Sequence, residues 1–103
     1  MDIFTAVAEP NRRRILELLS KNGQMSAKDI SKNFKMSFPA ISQHLKVLKE
    51  SDLVIVQKDA QKRIYQINPK KVQEVETWAK NINDIWEARF DRLEKLLKKQ
   101  NVR

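Results

Sequence analysis

Residues 25–54 read MSAKDISKNFKMSFPAISQHLKVLKESDLV, and two short helical patterns follow each other there with almost nothing between them. In the first, Ser26-Ala-Lys-Asp29 has the form of a capping box, with the Ser hydroxyl placed to accept the N–H three residues on. Ala27, Ile30 and Phe34 then recur at helical spacing, so this helix is expected to reach about Phe34. Three residues later Ser37 is a good N-cap, and Pro39 fits the first turn, where a missing N–H costs nothing. Ile41, Leu45 and Leu48 follow at i, i+4 and i+7 and make one apolar face of a helix running to about Ser51. Two helices joined by so short a turn form a helix-turn-helix.

The flanking segments extend the pattern. On the N-terminal side, Asp2 to Ala8 reads as a short helix with Ile3, Phe4 and Val7 on one side. Pro10 opens a second helix to about Lys21, with Ile15, Leu16, Leu18 and Leu19 inward, and Asn22-Gly23 ends it. On the C-terminal side, LVIVQ and KRIYQI, separated by Lys58 to Gln61, read as a β-hairpin with a basic tip. The tip contains no Gly, which leaves its turn type open. Asn68-Pro69 marks the start of a last helix, 69–99. Its apolar residues run from Val72 through Trp78, Ile82, Ile85, Trp86, Phe90 and Leu93 to Leu97. At 100° per residue they fall within an arc of about 140°, with Arg89 as the one charge inside it. A small domain covers only part of such a stripe, so the remainder is expected to pack on a second copy.

Composition narrows the class of function. The chain has 103 residues with a formal net charge of +8, which suits a polyanionic partner. Charged residues are 33% and hydrophobic ones 41%, the balance of a folded, soluble chain. There is no Cys, so disulfides and thiolate metal sites are excluded. No apolar run is long enough to span a bilayer, and the N-terminus lacks the pattern of a signal peptide. The expectation is one domain over residues 1–103, cytoplasmic, with no membrane partner and no cofactor. No phosphate-binding glycine loop, zinc spacing or nucleophile–base pair occurs, so an enzyme is not expected.

The order is helix, helix, helix-turn-helix, hairpin, helix; in a winged helix of that order the second helix of the turn is expected in the major groove and the hairpin along the backbone or minor groove. On the wheel Pro39, Gln43 and Lys46 lie opposite the apolar face, with Ala40 and Ser42 flanking. Gln pairs with adenine edges and Ala touches a thymine methyl, whereas Lys46 and Lys49 suit phosphates. Lys58, Lys62 and Arg63 on the hairpin are phosphate candidates too. Three other features carry two readings each. His44, the only histidine, reads as a structural hydrogen-bonded side chain, with a DNA contact as the alternative. Arg12-Arg13-Arg14 is either a solvated face or a phosphate contact, with one Arg paired to Glu17 or Asp52 as a further option. Trp78 and Trp86 read as core or dimer contacts before a ligand cage.

The blocks FTAVAEPNRRRILELL, MSAKDISKNFKMSFPAISQHLKVLKESDLV, KRIYQINP and WEARFDRLEKLL resemble the ArsR-type winged-helix repressors over nearly the whole chain. The most specific part, Ser37 through Leu45, is similar to that family's recognition helix. The resemblance implies that Phe38, Pro39, Ala40, Ser42 and Gln43 face bases, with Ser37 at the helix start, and that Lys58, Lys62 and Arg63 belong to the wing. It implies dimerisation through the first and last helices, placing Ile3, Phe4, Val7, Trp78, Ile82, Ile85, Trp86, Phe90 and Leu93 at the interface. The implied fold is a mainly α winged helix-turn-helix with a small β-hairpin. The implied function is a homodimeric repressor that occludes a palindromic operator in double-stranded DNA. The family's metal sensors carry cysteines before the recognition helix, or His and carboxylates in the last helix. Here the first place reads MSAKDIS and the last helix has no His, so no metal response is expected; an inducer, if there is one, stays unknown. Glu9 stands where the family usually has Asp, and Ser51-Asp52 where Gly is common. Two alternatives stay open: a winged helix that binds another protein, and a repressor switched by a small ligand at the dimer helices.

Overall fold

The structure is a computed structural model and describes residues 1–101. The chain divides into two compact units, Met1–Val72 and a second from Gln73 onward. The first unit contains α1 (Ile3–Ala8), α2 (Pro10–Asn22), β1 (Met25–Ser26), α3 (Ala27–Ser31), α4 (Phe38–Glu50), β2 (Val54–Asp59) and β3 (Lys62–Ile67). Helix α5 (Pro69–Asn101) begins there and makes up the described part of the second unit.

Each helix of the first unit starts on a side chain that accepts an otherwise unpaired backbone N–H. Asp2 accepts from Thr5 at 2.7 Å, Glu9 from Arg12 at 2.9 Å, Ser26 from Asp29 at 3.1 Å and Ser37 from Ala40 at 3.3 Å. The helix faces then meet in one core of Ile15, Leu19, Ile30, Ile41, Leu45, Leu48 and Leu53, each under 2% exposed. Ile15 with Leu19, and Ile41 with Leu45 and Leu48, are the spacings that put side chains on one helix face. Leu16 and Leu18, expected inside, are half-buried at the margin. Truncating a fully buried Leu such as Leu45 to Ala removes about 2–5 kcal/mol.

Three local features differ from the sequence expectation. The sheet has three strands in the order β1-β3-β2, because Met25 and Ser26 pair with Tyr65 and Ile64. Helix α3 stops at Ser31 rather than Phe34. The Asn33 side chain donates to the Asp29 carbonyl at 3.0 Å, a local bond that favours a turn over another helical step. Phe34 is half-buried instead under the Arg14 guanidinium, 5.0 Å from its ring centre. In α1, Ile3 is buried in the core while Phe4 is 41% exposed.

The end of α4 is a Schellman motif. The Leu53 N–H bonds the Leu48 carbonyl and the Asp52 N–H bonds the Lys49 carbonyl, both at 3.0 Å. This closure requires the left-handed region at Asp52, which has φ 61°. The chain then turns directly into the hairpin. Asn68 fastens the far end, donating its N–H to Leu53 O and its side-chain amide to Asp52 O, each at 2.9 Å. The hairpin itself closes through Ala60 and Gln61, with Asp59 opposite Lys62. Ala60 has φ 56°, at the position where primed hairpin turns place a positive φ.

Candidate nucleic-acid interface

Helix α4 has its Ile41–Leu45–Leu48 face in the core, so the opposite face is outward. Phe38 is 48% exposed, Pro39, Gln43, Lys46 and Lys49 are exposed, and Ala40 and Ser42 are half-buried at the edges. Ser37 is exposed at the helix start; its hydroxyl oxygen accepts from Ala40, which leaves the hydroxyl proton to donate.

An open cleft runs along this face. Phe38, Pro39, Ser42, Gln43, Lys46 and Lys49 line one side, and Arg63 and Tyr65 of β3 line the other. Glu50 and Asp52 also line it. A second cleft adjoins, sharing Ala27, Phe38 and Arg63, and brings Lys28 and Lys32 of α3 together with Gln61 and Lys62 at the hairpin tip. Sequence reasoning missed Lys28 and Lys32. Lys28 lies in α3 and Lys32 is its C-cap, and only the placement of the hairpin tip beside them brings them to the cleft. Lys32 reaches Asp29 at 3.8 Å, a fully solvated contact.

The hairpin divides its cations by strand parity. Lys58 stands directly opposite Arg63, and Asp59 opposite Lys62. Opposed residues share a sheet face, so Lys58 and Arg63 lie on the Tyr65 side and Lys62 on the other. Like charges directly across a ladder are unfavourable. Two cations kept in that register, exposed beside the α4 cleft, suit an anion that bridges them.

The arginine run has a different use. Helix α1 is six residues long, and its last four carbonyls, Thr5 to Ala8, have no partner within the helix. Arg12 donates to Ala6 O at 2.7 Å and Thr5 O at 3.2 Å, while Arg13 donates to Val7 O at 2.9 Å and Ala8 O at 3.0 Å. Arg14 lies on Phe34. Arg13 and Arg14 are exposed, as a solvated face would be, but the run is also bonded to the α1 carbonyls, and among the described residues no ion pair joins it to Glu17 or Asp52. The guanidiniums close α1 and complement the negative end of its dipole. The bonds are invisible locally because the carbonyls lie five to seven residues upstream, across the Glu9 corner.

His44 is half-buried, with Nδ1 3.5 Å from Arg12 Nη1 and 3.6 Å from Glu9 Oε2. Burial pushes the Glu9 carboxyl up, but the N–H groups of Arg12 and Asn11 and the neighbouring His44 and Arg12 outweigh it and lower its pKa. Among the described residues, no three His, Asp or Glu side chains are grouped so as to hold a metal ion. No helix there is long and apolar enough to cross a membrane.

The pattern of bacterial regulatory proteins of the arsR family matches residues 9–56, which hold α2 through the start of β2. The transcriptional repressor SdpR of Bacillus subtilis is 38% identical over 80 residues, 78% of this chain and 88% of that protein. This chain belongs to the ArsR family. The relation extends to solved structures. A crystal structure of a possible transcriptional regulator for arsenical resistance is 34% identical, with a TM-score of 0.73 over 90% of this chain and 93% of that one. The solution structure of a homodimeric winged helix-turn-helix DNA-binding domain from Mycobacterium bovis is 25% identical, with a TM-score of 0.62 over 78% and 73% of the two chains. In ArsR terms α3 and α4 are the helix-turn-helix and β2–β3 the wing, and the cleft between α4 and β3 lies between recognition helix and wing.

In the second unit, the α5 stripe is open. Trp78, Ile82, Ile85, Trp86, Phe90, Leu93, Leu96 and Leu97 are between 49% and 66% exposed. That is a contiguous apolar face far beyond the scattered hydrophobics of an ordinary surface.

Proposed function

We propose that this ArsR-family protein is a homodimeric repressor that binds double-stranded DNA and acts by occupying its operator. The observation that carries the reading is the cleft in which the outward face of α4 and Arg63 of the wing come together under exposed lysines. In this reading Gln43 reads a base edge from the major groove, and Phe38, Pro39, Ala40 and Ser42 supply the small and apolar surface around it. Ser37, Lys46, Lys58, Lys62 and Arg63 hold phosphates, joined by Lys28 and Lys32. The wing lies along the adjacent backbone. Repression needs no bond chemistry, since a bound dimer excludes the polymerase. We assign the dimer contact to the α5 stripe, joined by Phe4, 41% exposed, and half-buried Val7 of α1; Ile3 serves its own core. No metal trigger belongs to this reading, because the Cys-free sequence offers none of the thiolate sites of the family's sensors. The site of action is the cytoplasm, where the DNA is.

The reading is tested by Gln43→Ala, titrated by fluorescence anisotropy against operator and scrambled duplexes. The expected loss is about 1–3 kcal/mol on the operator and little on the scrambled duplex. Equal losses on both would remove Gln43 from the base edge and α4 from the groove.

A further inference from the structure

The apolar face of α4 seats the helix on the core by close packing, and a directional polar contact fixes its rotation more finely than packing alone. Side chains stand about 5–6 Å from a helix axis, so a rotation of about 10° moves the Gln43 amide by about 1 Å. That is enough to spoil a hydrogen bond to a base edge. The residue next to Gln43 supplies such a contact. His44 Nδ1 meets Arg12 Nη1 at 3.5 Å and Glu9 Oε2 at 3.6 Å. Both partners are themselves fixed. Arg12 is fastened to the α1 carbonyls of Ala6 and Thr5 at 2.7 and 3.2 Å. Glu9 is fastened to the Arg12 N–H at 2.9 Å and the Asn11 amide at 3.2 Å.

We infer that His44 is a positioning residue: by accepting at Nδ1 from Arg12, which the α1 carbonyls and Glu9 hold in place, it locks the rotation of the recognition helix to the corner between α1 and α2. The inference rests on the reading of α4 as the DNA-reading helix and adds to it a specific line of connection, from the α1 carbonyls through Arg12 and His44 to Gln43. Any displacement of α1 is then felt at the base-reading amide, while phosphate contacts, which tolerate more movement, change little. Loss of the lock therefore lowers discrimination between sequences more than it lowers binding.

The experiment measures one ratio, Kd for a scrambled duplex over Kd for a duplex selected by the wild-type protein from a random pool. A variant that is partly unfolded loses both affinities by the same factor, so the ratio is insensitive to folded fraction. His44→Leu, which keeps volume and loses the ring nitrogen, is expected to lower the ratio about tenfold or more, the scale of one misplaced polar contact. His44→Asn, whose Oδ1 can accept from Arg12, is expected to stay within about threefold of wild type. Arg12→Met is expected to lower the ratio too, and the double variant Arg12→Met/His44→Leu no further than the worse single one. An unchanged ratio in His44→Leu, or simple addition in the double variant, overturns the inference and leaves the DNA reading standing. A wild-type ratio near one overturns both.

Discussion

Asp52 and Ala60 both hold the left-handed region, Asp52 with a side chain that tolerates it and Ala60 with one that does not favour it. Asp52 closes the Schellman motif that turns α4 into β2, and Ala60 is the first of two residues that reverse the hairpin. An L-residue there costs roughly 1–2 kcal/mol, part of which glycine gives back as entropy lost on folding. Ala60→Gly and Asp52→Gly should each therefore raise stability by up to about 1 kcal/mol, or a few degrees in Tm for a domain this size, measured by thermal unfolding. A fall in Tm for Ala60→Gly would mean that the turn is not under this strain. Asp52 also lines the α4 cleft with Glu50, so its replacement removes a negative charge from a surface proposed to meet phosphate.

At the scale of elements, the wing sets stability against charge. The opposed pair Lys58–Arg63 is a cross-strand repulsion that Lys58→Thr would relieve, for a gain of about 0.2–1 kcal/mol. The same change should weaken binding to operator and scrambled DNA alike. In Lys58→Thr/Arg63→Thr the plot of log K against log salt should flatten by about 0.9 for each phosphate that is no longer neutralised, counted over both subunits. A wing that served a protein partner would leave that slope unchanged. The elements themselves were legible in the sequence wherever the signal was local: the caps at Ser26 and Ser37, the i, i+4, i+7 face of α4, the β-branched hairpin strands and the stop at Gly23. What was not legible depended on partners distant in sequence. Met25 and Ser26 form a strand only because Tyr65 and Ile64 offer a ladder edge, and two residues carry no period of their own. The arginine run caps carbonyls across the Glu9 corner; the early end of α3 is the local exception, set by Asn33 bonding back to Asp29. In the candidate site, the α4 residues followed from the wheel, since the core face fixes its opposite. Lys28 and Lys32 join it only once the chain brings the tip of the wing against α3.

For the whole molecule, the proposed homodimer gives a use to both the stripe on α5 and the cleft on the first unit. In the proposed homodimer the Trp86 and Phe90 face is covered and the two recognition helices are related by a two-fold axis. Arg89, the one charge within the stripe, is suited to set the register of the paired helices, as isolated polar residues do in helical interfaces. Such a dimer is expected to read two copies of one short sequence, in opposite orientations, about one or two turns of DNA apart. The measurement that tests it most directly is selection of bound duplexes from a random-sequence pool by the purified protein, followed by sequencing. The account predicts enrichment of an inverted repeat with half-sites centred about 10 or 21 base pairs apart. Recovery of no common sequence, or of a single unrepeated site bound by one copy of the chain, would contradict it.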